Sequence, residues 1–288
     1  EKENFKLIDN LIKDTGFPLL STTDLAINKI CQKAKKDGHK VIIGGNGADE
    51  IFSGYYAHHL SYLLSIKKNK NYKTEFRNWK NKTVPFIRTE ILKNLEMYKK
   101  NLKKQGFKFE TYIYQKFLKI DYKTKNFPNN IDNKIKDLFI KHLDNDLFSD
   151  TLPTQAHNMD NISMHNSIES RMPYLNHYFY NFRNSISKNF LIKNGIAKYI
   201  LRETFLNKLP KKIILNPEKT GFYLPLNETI DIKSKKFINL ISTNKYLNKI
   251  IKINVIKDKI KLGKLTQQEQ KFCFLLYNAA SFLKLYTK

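Results

Sequence analysis

Apolar residues recur at helical spacing through most of this chain, and one short run breaks that rule. In "STTDLAINKICQKAKKDGHK" (21–40), Ile27, Ile30, Cys31 and Ala34 keep a helical period. Ser21 and Thr22 stand as N-cap candidates, and Gly38 falls where a helix stops. Val41-Ile42-Ile43 follows without polar alternation, the pattern of a strand covered on both faces. The loop "GGNG" (44–47) comes next. Ala48 to Tyr56 then restarts as a helix, with Asp49 and Glu50 in the first turn, where the helix dipole favours anions. The order is helix, buried strand, glycine loop, helix.

Residues 1–60 carry this α/β signal. Residues 61–150 are lysine-rich and mostly helical, as in "FIRTEILKNLEMYKKNLKKQ", with Trp79 and many tyrosines and phenylalanines on the buried side. "NFPNNIDN" (126–133) reads as a turn-rich break. Residues 151–225 are dense in unusual polar residues, and 226–288 returns to helices, ending on the apolar "EQKFCFLLYNAASFLKLY". The expected fold is α/β, dominated by helices with a few parallel strands.

Composition limits the classes of function. At 288 residues the chain can hold one large core or two small ones. Lys and Arg number 52 against 26 acids, a net +26, which raises nucleic acid as a partner. The excess is scattered lysine among asparagine and isoleucine, arginine is scarce, and no nucleic-acid-binding signature is present, so compositional bias accounts for the charge and no nucleic-acid partner is expected. Cys31 and Cys273 lie in apolar helical patterns without a CxxC partner and read as buried, reduced thiols of a cytoplasmic protein. The best membrane candidate, "FCFLLYNAASFL", is too short and is interrupted by Asn278. The opening "EKENFKLIDNL" has no methionine and is already helical in pattern, the look of a fragment beginning inside a domain.

Candidate chemistry gathers in three blocks. In an open α/β sheet, ligands sit at the carboxyl ends of strands. Glycines at 44, 45 and 47 let backbone approach a ligand closely, and Asp49 offers oxygen to a hard cation such as Mg²⁺. "DNISMHNSIESRMPYL" (160–175) holds Asp160, Glu169 and Arg171; the last two would share one side of an extended segment. "KYILRETFLNKLPKKIILNPEKTGFYLP" (198–225) puts Lys198 and Arg202 four apart on one helical face, then a loop with Lys219 before Thr220-Gly221-Phe222.

In this order and spacing, the blocks resemble the synthetase domain of the glutamine-dependent asparagine synthetases. That family carries S-G-x-G-A/S-D-E-x-F-x-G-Y, here "GGNGADEIFSGYY". It also carries D-R/N-x-S/A-M-x-x-S-x-E-x-R-x-P-F/Y-L, and K-x-x-L-R followed by L-P and K-x-G-F-x-x-P. The resemblance runs from about residue 5 to the end, weakest through the lysine-rich middle, and its motifs are specific as a collinear set. It implies an adenine nucleotide alpha hydrolase-like (ATP pyrophosphatase) layer in one domain. It also implies ATP and Mg²⁺, and activation of aspartate or a related carboxylate as an acyl adenylate for attack by ammonia. Carried over by position, Gly44, Gly45 and Gly47 would line the nucleotide with Glu50, Lys198 and Arg202. Asp49 would serve the magnesium-pyrophosphate, Lys219 would be the catalytic lysine, and Asp160, Glu169 and Arg171 would complete the shell.

The chain departs from the family pattern in several places. Gly44 stands where Ser is usual, and Asn46 where the family has an acid associated with the acceptor. Asparagine hydrogen-bonds but neither acts as a base nor carries charge, so an amidotransferase of surface-polysaccharide biosynthesis and an inactive synthetase-like adaptor stay open as alternatives. No S-G-G-x-D-S loop and no glutaminase domain occur within these residues. The expectations are that both belong to a longer parent, that the 288 residues alone make no amide, and that an apolar sheet edge at Val41–Ile43 is left bare. A homodimer is one assembly open to it.

Overall fold

A computed structural model describes residues 2–105, 107, 114–120, 136–219, 221 and 224–287; the turn-rich stretch 126–133 lies outside the described residues. Helices α1 (Lys2–Thr15) and α2 (Thr23–Lys36) lead into strand β1 (Val41–Ile43), then α3 (Ala48–Phe52), α4 (Tyr56–Ser65) and α5 (Tyr72–Lys82). The middle continues through α6 (Glu90–Lys93), α7 (Leu95–Gln105), α8 (Leu138–Phe148) and α9 (Thr151–His165). Strand β2 (Glu169–Arg171) and α10 (His177–Ser185) follow. A hairpin of β3 (Ile192–Lys193) and β4 (Ile196–Ala197) precedes α11 (Tyr199–Phe205) and α12 (Lys211–Ile214). Then come α13 (Leu226–Thr229), α14 (Lys235–Thr243), α15 (Lys245–Ile250), α16 (Ile253–Lys261) and α17 (Gln267–Tyr286). The chain is helix-rich, and β1 and β2 form a parallel pair, an arrangement compatible with α/β.

Two apolar clusters carry the packing. One joins α1 to the C-terminal helices through Phe5, Ile8, Phe237, Phe274 and Tyr277; the other joins α3, α4, α5 and α8 through Phe52, Leu60, Trp79, Phe139 and Leu143. The 20-residue α17 is the spine of the first, opened by a capping box in which Thr266 and Glu269 satisfy one another's backbone N–H. No described helix is long and apolar enough to cross a membrane. Cys31 and Cys273 are both free and buried.

Several local expectations need correction. Val41–Ile43 is a strand but is not covered on both faces. It pairs in register Val41↔Glu169, Ile42↔Ser170 and Ile43↔Arg171, and Ile43 remains 75% exposed. An aliphatic run records an apolar strand, and only the neighbouring layer decides whether a face is covered. In α2 the buried stripe runs through Leu25, Ala26 and Cys31, while Ile30 points outward. The α2 N-terminus is Thr22 without a side-chain cap, its hydroxyl donating instead to the Leu224 carbonyl; Asp24 accepts from Leu20 and Ser21 N–H. Residues 48–56 are not one helix: Ser53, at φ 69°, and Gly54 turn the chain between α3 and α4.

The β3–β4 hairpin positions Lys198. Asn194 and Gly195 both take positive φ, as a two-residue hairpin turn with the right twist requires. Their N–H groups donate to the buried Glu75 at 3.1 and 3.2 Å, and Thr83 donates to the Gly195 carbonyl at 2.6 Å. A Cβ at residue 195 would fall 2.5 Å from the backbone carbon of Asn78, so the turn is pinned against α5.

Candidate active site

At the carboxyl end of β1 the loop 44–47 turns into α3, and its first amide, Gly44 N–H, donates to the Arg171 carbonyl at 2.8 Å. Gly47 has φ +90°, and a Cβ there would strike Leu175, so only glycine makes this turn against the segment after β2. Gly45 is exposed, with open space where a Cβ would point.

Asp49 leaves the first turn of α3 and meets two cations from distant parts of the chain. Lys198 Nζ lies 2.9 Å from its Oδ1 and Lys219 Nζ 3.2 Å, each side chain roughly 30% exposed. Burial alone would raise the Asp49 pKa, but Lys219 and Lys198 outweigh it and hold the carboxyl below the ordinary aspartate value. Burial in turn lowers the Lys219 pKa, with Asp49 opposing. The Lys219 ammonium also rests 3.7 Å from the Tyr55 ring centroid, and its backbone N–H donates to the Tyr56 hydroxyl at 3.0 Å. Gly54 makes room for the group: a Cβ there would stand 1.4 Å from Asp49 Oδ1.

Lys198 holds the left-handed conformation, φ 54°, as the residue before α11, so it is not on a helical face with Arg202 as its spacing suggested. Arg202 instead ties backbone together, donating to Ala197 O at 2.9 Å, to Asn216 O at 2.8 Å and to Ile214 O. That clamp binds the strand before Lys198 to the loop before Lys219. A cleft lined by Asp49, Gly54, His59, Lys198, Arg202 and Lys219 results.

Glu50 turns inward, 1% exposed, and accepts from the Tyr55 hydroxyl at 2.5 Å; its burial raises its pKa. Behind it, Tyr55 N–H donates to His58 Nδ1 at 3.3 Å and His58 Nε2 lies 2.9 Å from Asp146. His58, His142 and Asp146 stand close enough to resemble a metal cage. The tautomer argues otherwise: with Nδ1 accepting a backbone proton, the neutral His58 ring carries its own proton on Nε2, toward Asp146. This is a buried relay that fixes the start of α4.

The remaining sequence candidates lie apart. Asp160 is exposed on α9, and among the described residues its carboxylate has no ion-pair partner. Glu169 and Arg171 do share one side of their strand and pair at 2.7 Å, on the exposed face beside Val41 and Ile43, and no ion pair joins them to Asp49 among the described residues. Asn46 Oδ1 lies 2.9 Å from where a Cβ on Gly44 would sit. Thr220 and Phe222, next to Lys219, are outside the described residues. Sequence reasoning gave no role to Gly54, Tyr55, Tyr56 or His59; the "GYY" after the acid pair was the available signal for the first three.

Residues 1–273, which contain all of this geometry, match the family described as asparagine synthase. The chain is 23% identical over 261 residues to asparagine synthetase [glutamine-hydrolyzing] 1 of Bacillus subtilis (strain 168), covering 84% of this chain and 40% of that protein. It thus spans less than half the length of this curated relative. No solved structure matches it. With the first and last of the three blocks meeting in one cleft and the family match running over nearly the whole length, the chain belongs to the asparagine synthase family.

Proposed function

We propose that these residues are the synthetase part of an ATP-dependent amide-forming ligase of the asparagine synthase (glutamine-hydrolysing) type. It would activate a carboxylate, aspartate first among those to test, as an acyl adenylate for attack by ammonia. The observation that carries this reading is the convergence of Asp49 from the first block with Lys198 and Lys219 from the two ends of the last on one cleft. Adenylation expels pyrophosphate, and the charge developing on the phosphate oxygens needs cations close by; two ammoniums gathered beside one carboxylate are placed to supply them.

On this reading Lys219 contacts the phosphate at the reacting bond. Tyr55 beneath it and Tyr56 at its backbone hold it in place. Lys198 contacts the departing pyrophosphate, the Gly44, Gly45 and Gly47 loop lets backbone approach the nucleotide, and Arg202 keeps the two lysine-bearing segments together. Mg²⁺, when bound, would be held by Asp49 together with phosphate oxygens and water, neutralising phosphate charge. One carboxylate suits this cation, which keeps several waters and takes few protein ligands. The ATP pyrophosphatase layer, a single domain, a cytoplasmic location, ammonia supplied from glutamine by a glutaminase domain, and no nucleic-acid partner complete the proposal. Asn46 favours one second reading, an amidotransferase acting on a different carboxylate in surface-polysaccharide biosynthesis, because the acid usual at that place is missing.

The test is calorimetric titration of the chain with Mg²⁺-pyrophosphate and with Mg²⁺-ATP, beside pyrophosphate release, in the presence of aspartate and ammonia, by a longer parent that carries the S-G-G-x-D-S loop. Saturable binding that weakens about a hundredfold in Lys219→Ala, with the fold intact by circular dichroism and little recovery in Lys219→Arg, supports the reading. Binding indifferent to Lys219 refutes it. Pyrophosphate release that depends on a carboxylate other than aspartate selects the second reading.

A further inference from the structure

One polar side chain in the cleft has no structural employment. His59, on α4, is 3% exposed and lines the cleft, and among the described residues no hydrogen bond or ion pair engages its ring. Its neighbour His58 shows the contrast, bound at both nitrogens. Leaving a buried imidazole unpartnered costs free energy, and native proteins seldom tolerate it without a reason such as a ligand that completes the bonding.

We propose that His59 is a ligand-contacting residue whose ring N–H donates to a phosphate oxygen of the nucleotide or pyrophosphate held in the cleft. The inference rests on the phosphate-binding reading above and adds to it a residue that no motif named. Placement supports it. Tyr56, one helical turn earlier on α4, bonds the Lys219 backbone, so His59 lies on the face of α4 turned toward the lysine-bearing loop. The chemistry supports it as well. Burial first, then the nearness of His58 and Arg202, depresses its pKa to about 3, so the ring stays uncharged and keeps one N–H to donate. An uncharged donor beside Lys198, Lys219 and Arg202 adds a directed bond to a phosphate oxygen without adding cation repulsion to the empty cleft.

The experiment is Mg²⁺-pyrophosphate titration of the unsubstituted chain and of His59→Leu, His59→Asn, His59→Gln and Lys219→Ala, with thermal melts of each. Removing an unpartnered polar group should leave His59→Leu as stable as the parent or more so, while its affinity falls roughly tenfold or more, as for a lost bond to a charged acceptor. One of the two amide variants, depending on which ring nitrogen donates, should recover most of that loss. In the unsubstituted chain the His59 ring nitrogens should shift in the NMR spectrum on adding pyrophosphate. If Lys219→Ala loses affinity but His59→Leu does not, or the His59 resonances stay still, this inference is overturned and the phosphate reading stands. Absence of saturable binding by the unsubstituted chain overturns both.

Discussion

Replacing Gly54 by alanine tests whether the Asp49–Lys198–Lys219 group is held as a unit. A Cβ at this position would stand 1.4 Å from Asp49 Oδ1 and 2.5 Å from Lys198 Cε. Ordinary contact begins near 3.4 Å, so the carboxylate must retreat by about 2 Å, the difference between 3.4 and 1.4. Its lysine partners now sit at 2.9 and 3.2 Å. Drawing each pair out from about 3 Å to about 5 Å at an effective dielectric of about 20 removes about 2 kcal/mol, which solvent screening reduces to about 1 kcal/mol per pair. The sign of the pH dependence follows. The folded-state pKa of Asp49 lies below its ordinary value of 3.8, so its pairing stabilises the fold above that value and is lost as pH falls through the folded pKa. Gly54→Ala should therefore lose about 2 kcal/mol at pH 7, with the electrostatic part of the loss vanishing at the acid end. Carboxyl carbon NMR should show Asp49 titrating higher in the variant, because burial then acts without its lysine counterweights. Urea melts at both pH values complete the measurement. An Asp49 titration identical in both proteins would refute the reasoning, since the carboxylate would not have moved away from its lysines.

Three further outcomes follow from other parts of the fold. Arg183 is 1% exposed and its guanidinium contacts Asp144, while Nε and Nη1 have no hydrogen-bond partner among the described residues; Asp144→Ala should destabilise by about 3–5 kcal/mol, and the double variant Asp144→Leu, Arg183→Met should recover most of it in urea melts. His142 is buried, first by desolvation and then beside His58, with its pKa pressed to about 3. The unfolded chain takes the proton first, so unfolding free energy should fall as pH drops from about 6.5 toward 3, and less so in His142→Gln. The +26 charge should give only weak nucleic-acid binding without sequence preference; tight retention on duplex or single strands at physiological salt, by electrophoretic shift, would contradict the compositional account.

The helices were legible because their signal is local. Gly38 ends α2 at φ +84°, Trp79 is buried in α5 and α17 covers the apolar tail, each as periodicity and capping chemistry imply. What failed was what neighbours decide. Val41 and Ile43 are apolar, yet they share the outer face of a two-stranded pair with Glu169 and Arg171, because no further layer lies over it among the described residues. Lys198 and Arg202 have helical spacing, but the β3–β4 hairpin ends at the residue before Lys198, which takes a left-handed conformation and faces Asp49 instead of joining α11. "NG" at 194–195 was the local signal for that turn.

The candidate site was legible as blocks and only partly as contacts. Motif order brought out Asp49, Lys198 and Lys219, and the three meet. Nothing in one-dimensional spacing separates them from Asp160, which faces solvent, or from Glu169 and Arg171, which pair with each other. The two departures in the glycine loop gain a physical connection that spacing could not provide. A Cβ at position 44 would stand 2.9 Å from Asn46 Oδ1, closer than real contacts of that kind, so the serine usual at 44 would force the Asn46 side chain aside. Glycine at 44 and asparagine at 46 are therefore compatible with one another in a way that serine at 44 and this asparagine rotamer are not. The amide oxygen, held where a hydroxymethyl group would have been, turns this corner of the loop from an acidic group into an uncharged acceptor. Any change in the carboxylate accepted by the cleft should accordingly be sought in both positions together: Asn46→Glu alone alters the charge, and only with Gly44→Ser does the loop regain the family's local chemistry.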